Sequence, residues 1–174
     1  MGDLYFDEAS GKAEPFIPKT TPPNPLHDRC LQELLKYRES KPNFIFWLRH
    51  TNDNRFKQGF WFQGKENYAF VGLYQPVAGN LSTKSIGLVF WPSDHEEIGV
   101  SFEVIYRNEK KKEVLAFYNW IKNLLSKDFK GSFEDLDSTR FRIILDLKNP
   151  IVAATKFLNL YIPKFEAEID RLGI

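Results

Sequence analysis

NFIFWLRHTNDNRFKQGFWFQGKENYAFVGLY (43–74) is the stretch that decides the class of fold. Within it, FIFWLRH (44–50), FKQGFWFQ (56–63) and NYAFVGLY (67–74) are short runs dense in aromatic and β-branched side chains. TNDN and Gly64-Lys65-Glu66-Asn67 separate them with turn-forming residues. Bulky side chains of this kind fit a pleated, half-buried surface, so each run predicts a strand. The same texture continues in SIGLVFW (85–91) and VSFEVIYR (100–107), set apart by Pro76 to Asn80 and by Pro92-Ser93-Asp94. Strands at this spacing with short links predict an antiparallel meander that curls strongly. Gly59, Gly64, Gly72, Gly87 and Gly99 sit in or beside these runs, where a missing Cβ permits bulges or close approach of another group.

On the N-terminal side, Leu31, Leu34, Leu35 and Arg38 follow helical spacing, and Asp28 is placed to cap them. A helix over 29–39 is expected, stopped by Lys41-Pro42. Residues 1–28 hold five prolines between Pro15 and Pro25 and are acidic, so they read as an extended arm preceding a domain at 29–174. On the C-terminal side, Val114, Phe117, Tyr118, Ile121, Leu124 and Leu125 predict a helix over 110–126. FRIILDL (141–147) predicts another strand. A second helix is expected over 150–161, opened by Pro150 and broken or kinked at Pro163, with Phe165, Ile169 and Leu172 continuing its apolar stripe. The expected class is α+β: a curved, largely antiparallel sheet of five to six strands, covered by helices from the N- and C-terminal parts.

A chain of 174 residues suffices for one such domain. Lys and Arg number 24 against 23 Asp and Glu, which excludes a uniformly basic coat but leaves room for a local patch. The single cysteine, Cys30, excludes an internal disulfide and a multi-cysteine metal site. The N-terminus is acidic without an apolar core, unlike a signal peptide, and no apolar run approaches the ~20 residues of a membrane span. A cytoplasmic location without membrane association is the expectation, and no cofactor is implied.

Few patterns suggest catalysis. Cys30 begins a predicted helix, yet no G-x-S-x-G accompanies it and His27 is too near in sequence to serve obviously as its base, so a small buried side chain is expected. His27, His50 and His95 are isolated, and Asp94-His95-Glu96-Glu97 reads as a solvated loop. Asp137, followed by a strand ending in Asp146-Leu147-Lys148, could hold Mg²⁺ beside a scissile phosphate; this makes a metal-dependent nuclease one alternative.

Residues 41–91 are more telling. Lys41, Arg49, Arg55, Lys57, Lys65 and Lys84 face only Asp53 and Glu66 in charge, interleaved with Trp47, Phe60, Trp61, Phe62, Tyr68, Tyr74 and Trp91. Cations that neutralise phosphate beside aromatic faces that stack on bases are what nucleic-acid binding requires. Arg49, Arg55, Lys57, Lys65 and Lys84 are the expected phosphate contacts. Trp61, Tyr68 and Tyr74 are the expected stacking residues or pocket walls. A second basic cluster, Arg107 and Lys110 to Lys112, opens a predicted helix, where cations oppose the dipole unless an anion joins them. A protein-interaction domain with exposed aromatics is a further alternative.

The run FWLRHTNDNRFKQGFWFQGKENYAFVGLY, an apolar strand, a lysine-rich helix and the closing FLNLYIPKFEAEIDRL resemble the N-terminal domains of McrB-like restriction ATPases. The likeness spans most of 29–174 and is one of layout. It implies a DNA-recognition module that precedes an AAA+ GTPase motor and, in some members, receives a modified cytosine in an aromatic pocket. No G-x-x-x-x-G-K-[ST] occurs in this sequence. Motor and nuclease would then lie on other domains or subunits, with DNA as the ligand.

Overall fold

The computed structural model describes residues 4–6, 13–15, 23–42, 44, 46–49, 54–73, 86–92, 98–145 and 149–174. Two short strands, β1 (Leu4–Phe6) and β2 (Ala13–Pro15), pair antiparallel within the expected arm. Helix α1 (Pro25–Ser40) begins four residues ahead of the expected start. Its cap is Asn24, whose side chain accepts from the backbone N–H groups of Leu26 and His27 at 3.1 and 3.2 Å, and Pro25 takes the first helical position, where a missing donor costs nothing. Asp28 lies inside the first turn.

The main sheet has six strands, all antiparallel: β3 (Gln63–Lys65), β4 (Tyr68–Gly72), β5 (Ile86–Pro92), β6 (Ile98–Ile105), β7 (Phe133–Asp137) and β8 (Arg140–Ile144). Their order is β3-β4-β5-β6-β8-β7, so the sheet is open and the final hairpin joins the meander through β8. Helix α2 (Lys112–Asp128) connects β6 to that hairpin, and α3 (Pro150–Leu172) closes the chain. The class is α+β, as the sequence predicts. Besides β1, β2 and β7, where the sequence predicts no strand, three elements differ from expectation. The described residues of FIFWLRH form no strand; among them one bridge, Trp47 to Gly72, touches the sheet, and Phe44, Phe46, Trp47 and Leu48 are all buried. FKQGFWFQ becomes a 3₁₀ turn at Phe56–Gln58, closed by Gly59 at φ +82°, ahead of β3. Pro163 lies inside α3 rather than ending it: Phe157, Leu158, Tyr161 and Phe165 are buried on both sides of the proline, and that packing outweighs one lost backbone bond.

Strand register sorts the sheet into two faces. Leu88 lies opposite Val71 and Phe102, and Phe102 lies opposite Ile143. With Ile86, Phe90, Val100, Val104 and Phe141 they form a continuous apolar face, each residue essentially excluded from water. The Phe102 ring meets Phe157 and Phe165 of α3 at 4.8 and 5.6 Å between centroids, and Phe117 of α2 packs edge-on against Phe165. Helix α1 packs against β4 and β5. The alternate residues of the same strands form the opposite face.

Candidate functional site

That opposite face carries a cleft of about 680 Å³ whose lining comes entirely from strands. The residues arrive in i, i+2 pairs: Tyr68 and Phe70 from β4, Val89 and Trp91 from β5, Glu103 and Ile105 from β6, Arg140 and Arg142 from β8. Gln63 and Gly64 add the edge strand β3. The volume is within the range of small-ligand sites.

Two glycines shape the floor. The Trp91 indole lies over Gly99 on the neighbouring strand; a Cβ there would fall on the ring, with Cζ2 at 2.6 Å. The Phe70 ring lies over Gly87, where a Cβ would come within 2.7 Å of its Cζ. Aromatic rings thus cover backbone that has no side chain of its own, and Phe70 and Trp91 remain half-buried rather than sealed. Tyr68, 39% exposed, stands at the rim opposite Lys65.

Charge enters from β8. Arg140 grips Glu103 with Nη2 at 2.7 Å and Nε at 3.2 Å from Oε2, and Glu103 is only 2% exposed. Arg142 donates through Nε to Glu134 Oε2 at 2.7 Å. The two guanidiniums alternate with the core residues Phe141 and Ile143, so a single strand supplies both the interior and the charged wall.

The sequence-derived contact residues are distributed unevenly about this face. Tyr68 lies in the cleft. Lys65 shares its hairpin and is exposed. Arg55 reaches that hairpin's turn through Glu66, with Nη1 to Oε1 at 3.3 Å, and lies 4.7 Å from the Phe60 ring centre; Lys57 is exposed on the 3₁₀ turn. Arg49 is buried: Nε donates to the Phe62 carbonyl at 3.1 Å and Nη2 to that of Gly64 at 3.3 Å, so its charge holds backbone. Trp61 is buried too, donating to Asp28 Oδ1 at 3.2 Å and meeting Phe56 edge-on. Tyr74 and Lys84 lie outside the described residues, as do Asp146 and Lys148.

Arg49 works beside His27, which is fully buried. The Phe62 N–H donates to His27 Nδ1 at 3.1 Å, which leaves the ring proton on Nε2, 3.1 Å from the Lys65 carbonyl. Burial pushes the His27 pKa down, and the charges of Arg49 and Arg55 push the same way against the Lys65 bond. His27 and Arg49 together fix residues 62–65, the lead-in to the hairpin that presents Tyr68.

Other candidate chemistry is spent on structure. Asp137 accepts from the backbone and hydroxyl of Thr139 at 2.7 and 2.8 Å and pairs with Arg107 at 2.8 Å; Arg107 first, then Thr139, lower its pKa to about 2. Burial pushes the Cys30 thiol far up, away from nucleophilic use. Glu109 Oε1 accepts the backbone N–H groups of Lys110 and Lys111 at 2.8 Å, which offsets the lysines at the start of α2. Among the described residues no group of three or more His, Cys, Asp or Glu could hold a metal ion, and no helix is long and apolar enough to cross a membrane.

Trp91 stood in the sequence among the interleaved aromatics without a role. Phe70, Glu103, Arg140 and Arg142 had none. The signal that could have found the arginines is the period-two pattern Arg140, Arg142 against Phe141, Ile143. Comparison with protein-family models, with curated proteins and with solved structures gave no match. The chemistry of the cleft is therefore the ground on which a function stands.

Proposed function

We propose that this chain is a non-catalytic DNA-binding module that receives an unstacked base, flipped from a duplex or modified, on the open face of its sheet. One observation supports this above others: Phe70, Trp91 and Tyr68 offer aromatic surface in the same cleft into which Arg140 and Arg142 project. Base stacking on aromatic side chains is worth about 1–3 kcal/mol per base and tolerates any sequence, while guanidiniums neutralise phosphate. Extruding a base costs a few kcal/mol of stacking, which one such contact plus phosphate pairing offsets. Lys65, Arg55 and Lys57 extend the basic surface outward from the Tyr68 hairpin. The layout resemblance to McrB-like recognition domains fits a specificity role in a restriction system, with AAA+ motor and nuclease supplied by other domains or subunits.

The test is binding to DNA across a salt series. Affinity should fall steeply as salt rises, and Trp91→Ala should weaken binding while remaining folded. Affinity indifferent to salt, or a folded Trp91→Ala that binds as well as the parent, would overturn the proposal. Incubation with Mg²⁺ and plasmid should leave the DNA intact; cleavage would refute the non-catalytic part.

A further inference from the structure

We infer that Glu103 reads the base, accepting a hydrogen bond from an exocyclic amino group and so favouring cytosine and adenine over thymine. This rests on the base-binding function proposed above and names its ligand class. Glu103 lines the cleft at the middle of the sheet, held almost entirely out of water. Its two oxygens are used unequally. Oε2 accepts both the Nη2 and Nε bonds of Arg140, at 2.7 and 3.2 Å. Oε1 has only the Ser101 hydroxyl, at 3.4 Å, well beyond the usual 2.5–3.0 Å for such a bond. A carboxylate offers about four acceptor positions, so Oε1 retains acceptor capacity among the described residues while Arg140 fixes its direction.

The surroundings select the donor. Phe70 and Trp91, seated over Gly87 and Gly99, favour a flat ring. An acceptor beside such a floor calls for an N–H on that ring's edge. A methylated ammonium would also suit aromatics with a carboxylate, but the Glu103 charge is already paired with Arg140, which leaves it no net charge to offer a cation. Arg142 spends Nε on Glu134, and its terminal nitrogens make no bond to another described residue, which leaves them for the phosphate that accompanies a nucleobase. Cytosine N4 and adenine N6 carry the required donor, as does guanine N2, and carboxylates accept from N4 in reading cytosine. Thymine presents a carbonyl at that position, and its one ring N–H is flanked by two carbonyls that meet the carboxylate lone pair against lone pair.

The experiment uses duplexes identical except for one bulged nucleotide, cytidine, adenosine or thymidine, with affinity measured by fluorescence anisotropy. The parent protein should bind the cytidine and adenosine duplexes about tenfold tighter than the thymidine one. In Glu103→Gln, the amide oxygen can keep Arg140 and the NH₂ then takes the place of Oε1; the preference should vanish or reverse toward thymidine. Equal affinity of the parent for all three, with binding intact, overturns the role of Glu103 and leaves base binding standing. A Glu103→Gln protein that keeps the tenfold preference also overturns it. Failure to bind any of the three removes the base-binding function itself. Should Glu103→Gln not fold, the parent series decides alone.

Discussion

The two faces of the sheet are built from the same strands and differ in what their alternate residues do. On the helix-covered face, Leu88, Phe90, Phe102, Val104, Phe141 and Ile143 are at most 2% exposed and belong to one hydrophobic cluster. On the open face, one residue away along each strand, Val89, Trp91, Ile105, Arg140 and Arg142 are half-buried around a cleft. Helices relieve the first face of any need for water, so it is free to be uniformly apolar. The second face has aromatic rings laid over glycines and an ion pair at its centre, which is a costly way to build a surface whose only task is to stay dissolved. A substitution should therefore act on stability or on binding according to the parity of its position in the strand.

The largest expected effect lies on the covered side. Phe102→Ala leaves a cavity against Phe157 and Phe165 and should cost about 3–5 kcal/mol in urea unfolding. A loss under about 1 kcal/mol would mean that α3 does not pack there. Trp61→Ala should come next, at about 3 kcal/mol, because it removes buried packing against Phe56 and the bond to Asp28. Thermal melts and binding curves on that one variant should show lower stability with unchanged base discrimination. Across the sheet, Trp91→Ala should reverse the pattern, weakening DNA binding by about 1–3 kcal/mol with a smaller change in melting. Arg142→Ala should be milder: affinity for every sequence declines alike and the slope of log affinity against log salt flattens by about one.

The smallest effect concerns pH. His27 is neutral in the fold because burial lowers its pKa below its ordinary 6.5. The unfolded chain therefore binds a proton in a range where the folded chain does not. Stability from this site is complete above 6.5 and is lost as pH falls from there through the lowered folded value. His27→Gln should flatten that part of a stability–pH curve; an unchanged curve would show that another group titrates.

Much of the fold is legible in the sequence, and the exceptions have physical causes. SIGLVFW and VSFEVIYR become β5 and β6 because their bulky residues are buried on both faces or nearly so, which a strand tolerates. FIFWLRH has the same composition, yet its described residues join the sheet through one bridge, since burial of aromatics does not require a ladder. FEDLD, which forms β7, is acidic and short, and only its pairing with β8, from Phe133 opposite Ile143 to Asp137 opposite Arg140, makes it a strand. Asn24-Pro25 is the start of α1, and Asp28, the expected cap, lies in the first turn after it. The candidate site was less legible. Tyr68, expected from its place at a turn among cations, lines the cleft. Arg49 and Trp61 looked equally suitable, but chemical type does not report burial, and both are consumed in fixing the loop before β3. Phe70 and Glu103 depend on register: nothing in the linear order says that Gly87 lies under Phe70 or that Arg140 lies two strands from Trp91.

Tryptophan fluorescence tests the central claim most directly. Trp47 and Trp61 are buried and Trp120 packs on Phe117 and Phe165 among the helices, whereas Trp91 is half-exposed in the cleft, so a base stacked there should quench it selectively. Titration of the parent protein with DNA should quench emission, and in Trp91→Phe, which keeps an aromatic floor, the quench should vanish while binding by anisotropy persists. Quenching that survives intact in Trp91→Phe would place the base elsewhere and contradict the assignment of the open face.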